Sequence, residues 1–425
     1  MTETHPSDRP TSPEMLTPDM PAEETPIDVL VVGGGMAGLT AALAFGVAGL
    51  SVVLVDRRPT TDVLDAAFDG RTSALALGSQ RVLDGLGAWA GMVEDAEPIR
   101  EIRVSDGGAP MFLHYDHREV CTEPLGYIVE NRHIRRALHD RLAACPDVRL
   151  IAPGSVEDLS HEEPFIRARL SDDRGIRARL AVAADGKDSP LRRAAGIPVT
   201  AWDYPQTGIV CTVRHEKPHR GIAHERFLSA GPLAMLPMRG NLSSVVWTER
   251  RDRAVHLLGL DDGAFAVEIA RRFGPSLGGL EIVGGRWSYP LSLSHADRYV
   301  ASRLALVGDA AHAIHPIAGQ GFNLGLRDVA ALAETVVDAA RLGLDIGGPE
   351  PLREYESWRR FDSVALSAAT DILNRLFSND LAPVRLMRDL GLAAVNRTPP
   401  LRRFFMRHAM GVVGELPRLA RGEPL

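Results

Sequence analysis

Residues 27–56 read IDVLVVGGGMAGLTAALAFGVAGLSVVLVD. The 27 residues between Asp28 and Asp56 carry no charge, and on hydropathy alone they would be assigned to a membrane span. Glycines at 33, 34, 35, 38, 46 and 49 divide the run into a β-branched stretch from Ile27 to Val32, an alanine-rich piece from Ala37 to Ala48 and a second β-rich stretch from Ser51 to Val55. That order is strand, turn, helix, strand. A βαβ unit buried on both faces reads as continuously apolar without meeting lipid.

Gly33, Gly35 and Gly38 spell GxGxxG where the first strand becomes the helix, with Ala37 inside the turn. The first glycine permits the tight turn, the second lets backbone approach a pyrophosphate, and the third lets helix and strand pack closely. The helix N-terminus then presents free N–H groups and a positive dipole end to the phosphates. Asp56 closes the second strand, where a carboxylate accepts hydrogen bonds from an adenosine ribose. This predicts a dinucleotide site, and NAD, NADP and FAD all remain open, because Arg57 and Arg58 could hold a 2′-phosphate.

The remainder of the chain is that of a globular protein. Of 425 residues 45% are apolar and 24% charged, with 48 Lys+Arg against 55 Asp+Glu and a formal charge of −7. This length allows two or three domains, and the acidic balance argues against a nucleic-acid footprint. Only Lys187 and Lys217 are lysines. Cys121, Cys145 and Cys211 fit no zinc or CxxC spacing and read as reduced thiols of a cytoplasmic protein. Residues 1–26 hold six prolines and six acids, which predicts a disordered tail without the character of a secretory or mitochondrial leader.

Two later clusters narrow the cofactor. Ala181 to Gly196 reads AVAADGKDSPLRRAAG, a small-residue strand followed by Asp185-Gly186 and a polar turn leading to Arg192 and Arg193. Leu304 to Asp309 is a buried strand ending in Gly-Asp, and His315 to Asp328 reads HPIAGQGFNLGLRD ahead of an apolar-periodic helix. Gly319, Gly321 and Gly325 keep backbone close to something large, and a helix beginning near Gly321 would point its positive end at an anionic ring. The three-residue spacing of Asp309, His312 and His315 resembles metal ligation. Pro316 and the glycines account for the segment better, so no metal site is expected and His312 is read as a packed, hydrogen-bonded histidine.

These clusters resemble the three FAD motifs of the aromatic-ring flavin monooxygenases, and HPIAGQGFNLGLRD is similar throughout to the signature of the ubiquinone-biosynthesis hydroxylases. The likeness extends over Asp69-Gly-Arg71, Glu130-Asn-Arg132, Gly231 to Pro237, Val245 to Thr248, Tyr289 to Leu291 and the tail from Pro400, so it covers residues 27–425. The resemblance implies that Arg71 and Arg132 line the FAD, that Val156 offers backbone to the adenine, and that Asp309 holds the ribityl and pyrophosphate region. It implies that Pro316 to Gly321, with Gln320 inside the loop and Asn323 just after it, pass the isoalloxazine. Asp185 belongs to the same cofactor set. Asp56 departs slightly from the family, which more often has Glu there.

The expected fold is α/β, a Rossmann-like FAD-binding domain of the glutathione-reductase type interrupted by an antiparallel-sheet substrate domain and followed by C-terminal helices. The segments are 27–71, 129–196 and 299–345 for the FAD domain, 72–128 and 197–298 for the substrate domain, and 346–425 for the helical region. Short alternating runs such as Thr207 to Arg214 and Ser243 to Trp247 read as that sheet. Leu233, Met235, Leu236 and Trp247 are candidate pocket walls, with ordinary sheet core as the competing reading.

Beyond Pro383 eight arginines stand against three acids, interleaved with Leu386, Met387, Leu390, Phe404, Phe405 and Met406. Such a basic amphipathic segment can lie on an anionic membrane, dock a partner of a biosynthetic complex, or cap the core. The expected location is cytoplasmic with peripheral contact at the inner face of the plasma membrane.

By resemblance the activity is hydroxylation of the aromatic ring of a polyprenylated phenol through a flavin hydroperoxide, in a dry pocket. A transient NAD(P)H or another donor reduces the flavin, since no second GxGxxG occurs. The catalytic base is not legible. Rival readings are a halogenase or prenyl-chain reductase, although no GWxWxIP stretch is present, and a non-catalytic carrier of prenylated ligands, which has no need of a flavin-ring loop.

Overall fold

The computed structural model describes residues 25–64, 70–107, 112–314, 319–377, 391 and 394–425. The tail through residue 24, Pro316, and residues 384–390, 392 and 393 of the basic segment lie outside the described residues.

The opening motif folds as its glycines dictate: strand Ile27–Val32, helix Met36–Val47, strand Val52–Val55. Val29 to Val32 and Val52 to Val55 are all buried, because the parallel sheet has helices on its faces. Its strand order is Val300–Ala301, Leu304–Leu306, Gly175–Ala183, Ile27–Val32, Val52–Val55, Val148–Ile151. All neighbours are parallel except the first pair. Helix Gln320–Arg341 packs its apolar face, including Leu326, Val329, Leu332 and Val336, into the same core. Among the described residues no helix is long and apolar enough to cross a membrane.

A second, eight-stranded sheet forms the platform; its neighbours are antiparallel as expected except Ile222–Leu228 and Glu101–Asp106, which pair in parallel. Its order is His312–Ala313, Leu280–Ala296, Val199–His215, Leu242–Arg250, Gly231–Met238, Ile222–Leu228, Glu101–Asp106, Phe112–Asp116. Helices Arg251–Leu258 and Asp262–Phe273 cover one face. Segment 72–128 divides: Glu101–Asp106 and Phe112–Asp116 extend this platform, whereas Thr72–Ala76, Glu97–Ile99 and Gly126–Glu130 form a separate three-stranded sheet. Leu75, Val82 and Leu83 are buried in the core of the dinucleotide domain.

The helical C-terminal region is present as Pro349–Phe377, Pro399–Ala409 and Arg418–Arg421. In the first of these Leu352 and Tyr355 join the core of the dinucleotide domain and Trp358 packs against it. Further along, Phe361 is 81% exposed, while Arg359, Ser363, Ser367 and Thr370 are buried, with Arg359 turned to Asp328 behind the Gly308 turn.

Candidate functional site

The sequence motifs meet because they all follow parallel strands at their carboxyl ends. Gly33 follows Val32, Asp56 follows Val55, Asp185 lies two residues beyond Ala183, and Gly308 two beyond Leu306. In open α/β sheets that edge is where the ligand crevice lies.

Two of the three glycines are demanded by packing. Gly33 has φ +107°, and a Cβ there would lie 2.4 Å from the Ala184 carbonyl oxygen. A Cβ on Gly38 would lie 1.8 Å from the Gly33 carbonyl oxygen. Gly35 differs, since a Cβ would meet nothing within 4 Å. It faces open space at the start of helix Met36–Val47, whose first turn carries no acid to occupy its N–H groups. Asp56 accepts hydrogen bonds from the Gly34 amide and, at 2.7 Å, from the Arg58 amide. Arg57 is exposed beside it. The Gly154 amide donates to the Asp56 carbonyl at 2.8 Å, which brings the start of strand Val156–Glu162 to the ribose end.

The second cluster is locked to the third. Ser189 caps the short helix Pro190–Ala194 by accepting from the Arg192 amide at 3.0 Å. The buried Arg192 side chain donates to the carbonyls of Ala310 and Lys187, both at 2.8 Å. Asp185 accepts from the Leu191 amide at 3.2 Å, but its Oδ1 is buried with no partner among the described residues. Burial pushes this carboxyl upward. A buried acceptor in need of a donor, an open Gly35 and a helix N-terminus with no side-chain cap or acid in its first turn fit the hydroxyl and phosphate groups of FAD.

The third cluster meets the first. A Cβ on Gly308, at φ +59°, would lie 3.2 Å from the Ala37 Cβ, and one on Gly325 would lie 3.3 Å from the Gly308 Cα. Asp309 retains exposed surface although protein surrounds it closely; burial raises its carboxyl, opposed by His312 and Lys187. Behind it His312 Nε2 bonds Asp328 Oδ2 at 2.6 Å and Arg359 Nε donates to Asp328 Oδ1 at 3.1 Å. Burial penalises the Asp328 charge, yet His312 and Arg359 outweigh it and hold the carboxyl below its ordinary range. The expected hydrogen-bonded histidine is thus engaged with Asp328. Glu101, His114 and Asp116 form the one group with metal-ligand spacing among the described residues. Their carboxylates already hold Arg103 and Arg118.

Gly319 is left-handed at φ +61° and immediately precedes helix Gln320–Arg341. The Asn323 amide group is spent on backbone: it accepts from the Ala76 amide at 2.9 Å and donates to the carbonyls of Ala74 at 2.7 Å and Gly319 at 3.0 Å. This pins the loop to strand Thr72–Ala76, so Asn323 holds the loop in place. Gly321, like Gly35, has open space where a Cβ would be. The Arg71 carbonyl accepts from the Asn131 amide at 3.0 Å, which puts Arg71 beside Arg132, itself paired with Glu130 at 2.5 Å.

Gly319, Gln320 and Arg71 also border a cavity of about 580 Å³. The platform face opposite helices Arg251–Leu258 and Asp262–Phe273 supplies one wall. Register explains which residues line it, since side chains alternate between faces. Glu225 pairs with Ala234, Ala234 with Val246 and Val246 with Val210, and this row lines the cavity. Of the candidate pocket walls, Leu236 borders the cavity. Leu233, Met235 and Trp247 do not: they have the opposite parity and are buried against the two helices, with Trp247 and Phe265 ring centroids 5.7 Å apart.

Glu225 was not singled out from the sequence. Its signal is the acid at the inward parity of Ala223-His-Glu-Arg-Phe227, between two residues that also line the cavity. Burial alone pushes its carboxyl up to about 7.

Over residues 26–361 the sequence matches the family described as FAD binding domain. It is 53% identical over 401 residues to the ubiquinone hydroxylase UbiL of Rhodospirillum rubrum, spanning 94% of this chain and 93% of that one. It is 36% identical over 389 residues to the 3-demethoxyubiquinol 3-hydroxylase of Escherichia coli, spanning 91% and 99%. The solved structure of p-nitrophenol 4-monooxygenase PnpA from Pseudomonas putida shares the fold, with TM-score 0.77 at 19% identity over 91% of this chain and 98% of that one. The chain belongs to this FAD-binding family, among the flavin-dependent monooxygenases that include the ubiquinone hydroxylases.

Proposed function

We propose that this protein hydroxylates the aromatic ring of a polyprenylated phenol in ubiquinone biosynthesis. The observation that carries the reading is the apolar cavity, which touches Gly319 and Gln320 on one side and Phe405 of helix Pro399–Ala409 on another. A polar ring and a long apolar tail suit such a space.

The N–H groups of Met36 to Gly38 and the gap before Gly35 would take the FAD pyrophosphate, Asp56 the ribose, and Val156 backbone the adenine. Arg71, Arg132, Asp185 and Asp309 would line its length. Bound FAD, reduced by NAD(P)H or another donor, supplies the dioxygen chemistry that delivers one oxygen atom to the ring. The chain's own part is to orient the ring against the Gly319 loop, to offset negative charge through the amides of Gly319 to Gly321 and the helix dipole, and to exclude water by apolar walls.

Leu401, Phe404 and Phe405 are 39%, 52% and 40% exposed, beside the exposed Arg403 and Arg407. This basic, aromatic helix supports peripheral contact with an anionic membrane next to the cavity, or with a ubiquinone-biosynthesis complex.

The test is complementation of bacterial strains that each lack one ring hydroxylase, followed by mass spectrometry of the quinone intermediates. The reading predicts that one strain regains quinone and loses its accumulated precursor. Failure in every strain, with yellow protein expressed, would oppose it.

A further inference from the structure

Within the cavity one carboxyl stands without a protein partner among the described residues. Glu225 occupies the central row of the platform wall, with Val104, Ala234, Val246 and Val210 on either side. All of these neighbours are aliphatic, and among the described residues no hydrogen bond or ion pair to the Glu225 side chain is found. It is the only carboxyl-bearing side chain among the described residues of the cavity wall. The other titratable wall groups are differently engaged. The Arg71 guanidinium lies over the Tyr289 ring at 5.9 Å. The His224 ring turns to the other face, edge-on to Phe273 at 5.1 Å, and burial lowers it to about 4. Burial holds the Tyr115 hydroxyl well above its ordinary value, which keeps it neutral.

Glu225 is half-buried and borders the open cavity, and an apolar wall offers its carboxylate no hydrogen-bond donor until something occupies that space. The space in front of it is the one that opens to Gly319 and Gln320, where the flavin ring is expected. We propose that Glu225 is the catalytic base of this protein: its carboxylate accepts the hydrogen bond of the bound phenol and takes the phenolic proton. The O–H bond of the phenol breaks and an O–H bond on the carboxyl forms; no electrons are exchanged. The ring oxygen becomes a phenolate, which directs electron density into the ring at the moment oxygen is delivered, and the carboxyl returns the proton as the product phenol leaves. Elevation of the carboxyl toward neutrality brings it closer to a phenol of ordinary acidity, about 10, and so makes it a better base than an exposed glutamate.

The inference rests on the phenol-hydroxylase reading, and one experiment separates the two. The FAD-loaded wild type, Glu225→Gln and Glu225→Asp are given a short-chain prenylated phenol and NADH or NADPH, and hydroxylated product is followed across about pH 6 to 9. Flavin content and absorbance confirm that each variant is folded. Glu225→Gln is expected to lose kcat about 10²-fold at neutral pH, to regain rate as pH approaches the phenol's own ionisation, and to leave KM little changed, while Glu225→Asp recovers part of the rate. A Glu225→Gln enzyme with the wild-type kcat and pH profile would overturn the role of Glu225 while leaving the phenol-hydroxylase reading intact. A wild type that makes no hydroxylated product would defeat both.

Discussion

Arg192 Nη1 lies 2.8 Å from the carbonyl oxygen of Ala310, so one buried side chain ties the segment after Ala183 to the turn that carries Asp309. The tie fixes two parts of the candidate FAD groove with respect to each other, although they are more than a hundred residues apart. Removing the guanidinium leaves the buried Ala310 carbonyl without its donor, at about 1–3 kcal/mol, and releases the carbonyl of the exposed Lys187. Arg192→Ala is expected to weaken FAD retention at least about tenfold, equivalent to 1.4 kcal/mol, and to lower Tm. Equilibrium dialysis against free FAD and thermal unfolding check this.

The glycines of the first turn separate into two kinds. A methyl group on Gly38 collides with the Gly33 carbonyl oxygen, whereas one on Gly35 projects into open space. Gly38→Ala is therefore expected to destabilise the fold by about 1–3 kcal/mol or more. Gly35→Ala is expected to leave unfolding of the FAD-free protein within about 0.5 kcal/mol of wild type while weakening FAD affinity. Denaturant titration together with flavin fluorescence distinguishes the two. Equal destabilisation of the flavin-free proteins would argue against Gly35 facing a ligand.

Asp328 stands between His312 and Arg359 with no solvent exposure. Removing one member of such a buried set leaves the others uncompensated, so Asp328→Ala should cost about 3–5 kcal/mol. The carboxyl is held below its ordinary value of 3.8. Its contribution to stability is therefore complete above that value and lost as pH falls through the lowered one. Chemical denaturation from neutral to acidic pH should give a wild-type stability that gains on the variant at neutral pH and converges toward it only in strong acid.

The aromatic helix near the cavity gives a separate prediction. Phe404 is 52% exposed, and its ring is 4.1 Å from that of His408. Phe404→Glu should leave FAD binding unchanged and reduce co-sedimentation with vesicles containing anionic phospholipid by several-fold. Unaltered co-sedimentation would place any membrane contact elsewhere.

The dinucleotide half of the fold was legible because steric constraint is written into sequence: only glycine tolerates the positions of Gly33 and Gly38, and a doubly covered sheet must be apolar. The second and third clusters were legible instead through their resemblance to the flavin monooxygenases, and Arg192 and His312 fell within them. The cavity wall was not. Leu233, Met235 and Trp247 are as apolar as true wall residues, and only the register of strands Gly231–Met238 and Leu242–Arg250 shows which face they take. The role of Asn323 escaped too, because a side chain that binds three backbone groups looks the same in sequence as one that binds a ligand. The division of segment 72–128 depended on pairings between strands far apart in the chain, which local alternation does not encode.

One FAD, gripped at Gly35 and at the Gly319 loop, is expected to deliver oxygen to a phenol in the adjoining cavity. The most direct measurement is turnover of a prenylated phenol by the purified yellow protein with NADH or NADPH under ¹⁸O₂, read by mass spectrometry. The expected result is a hydroxylated product carrying one ¹⁸O atom per new hydroxyl, with one FAD per chain. Unlabelled product, or turnover unaffected by removal of the flavin, would contradict it.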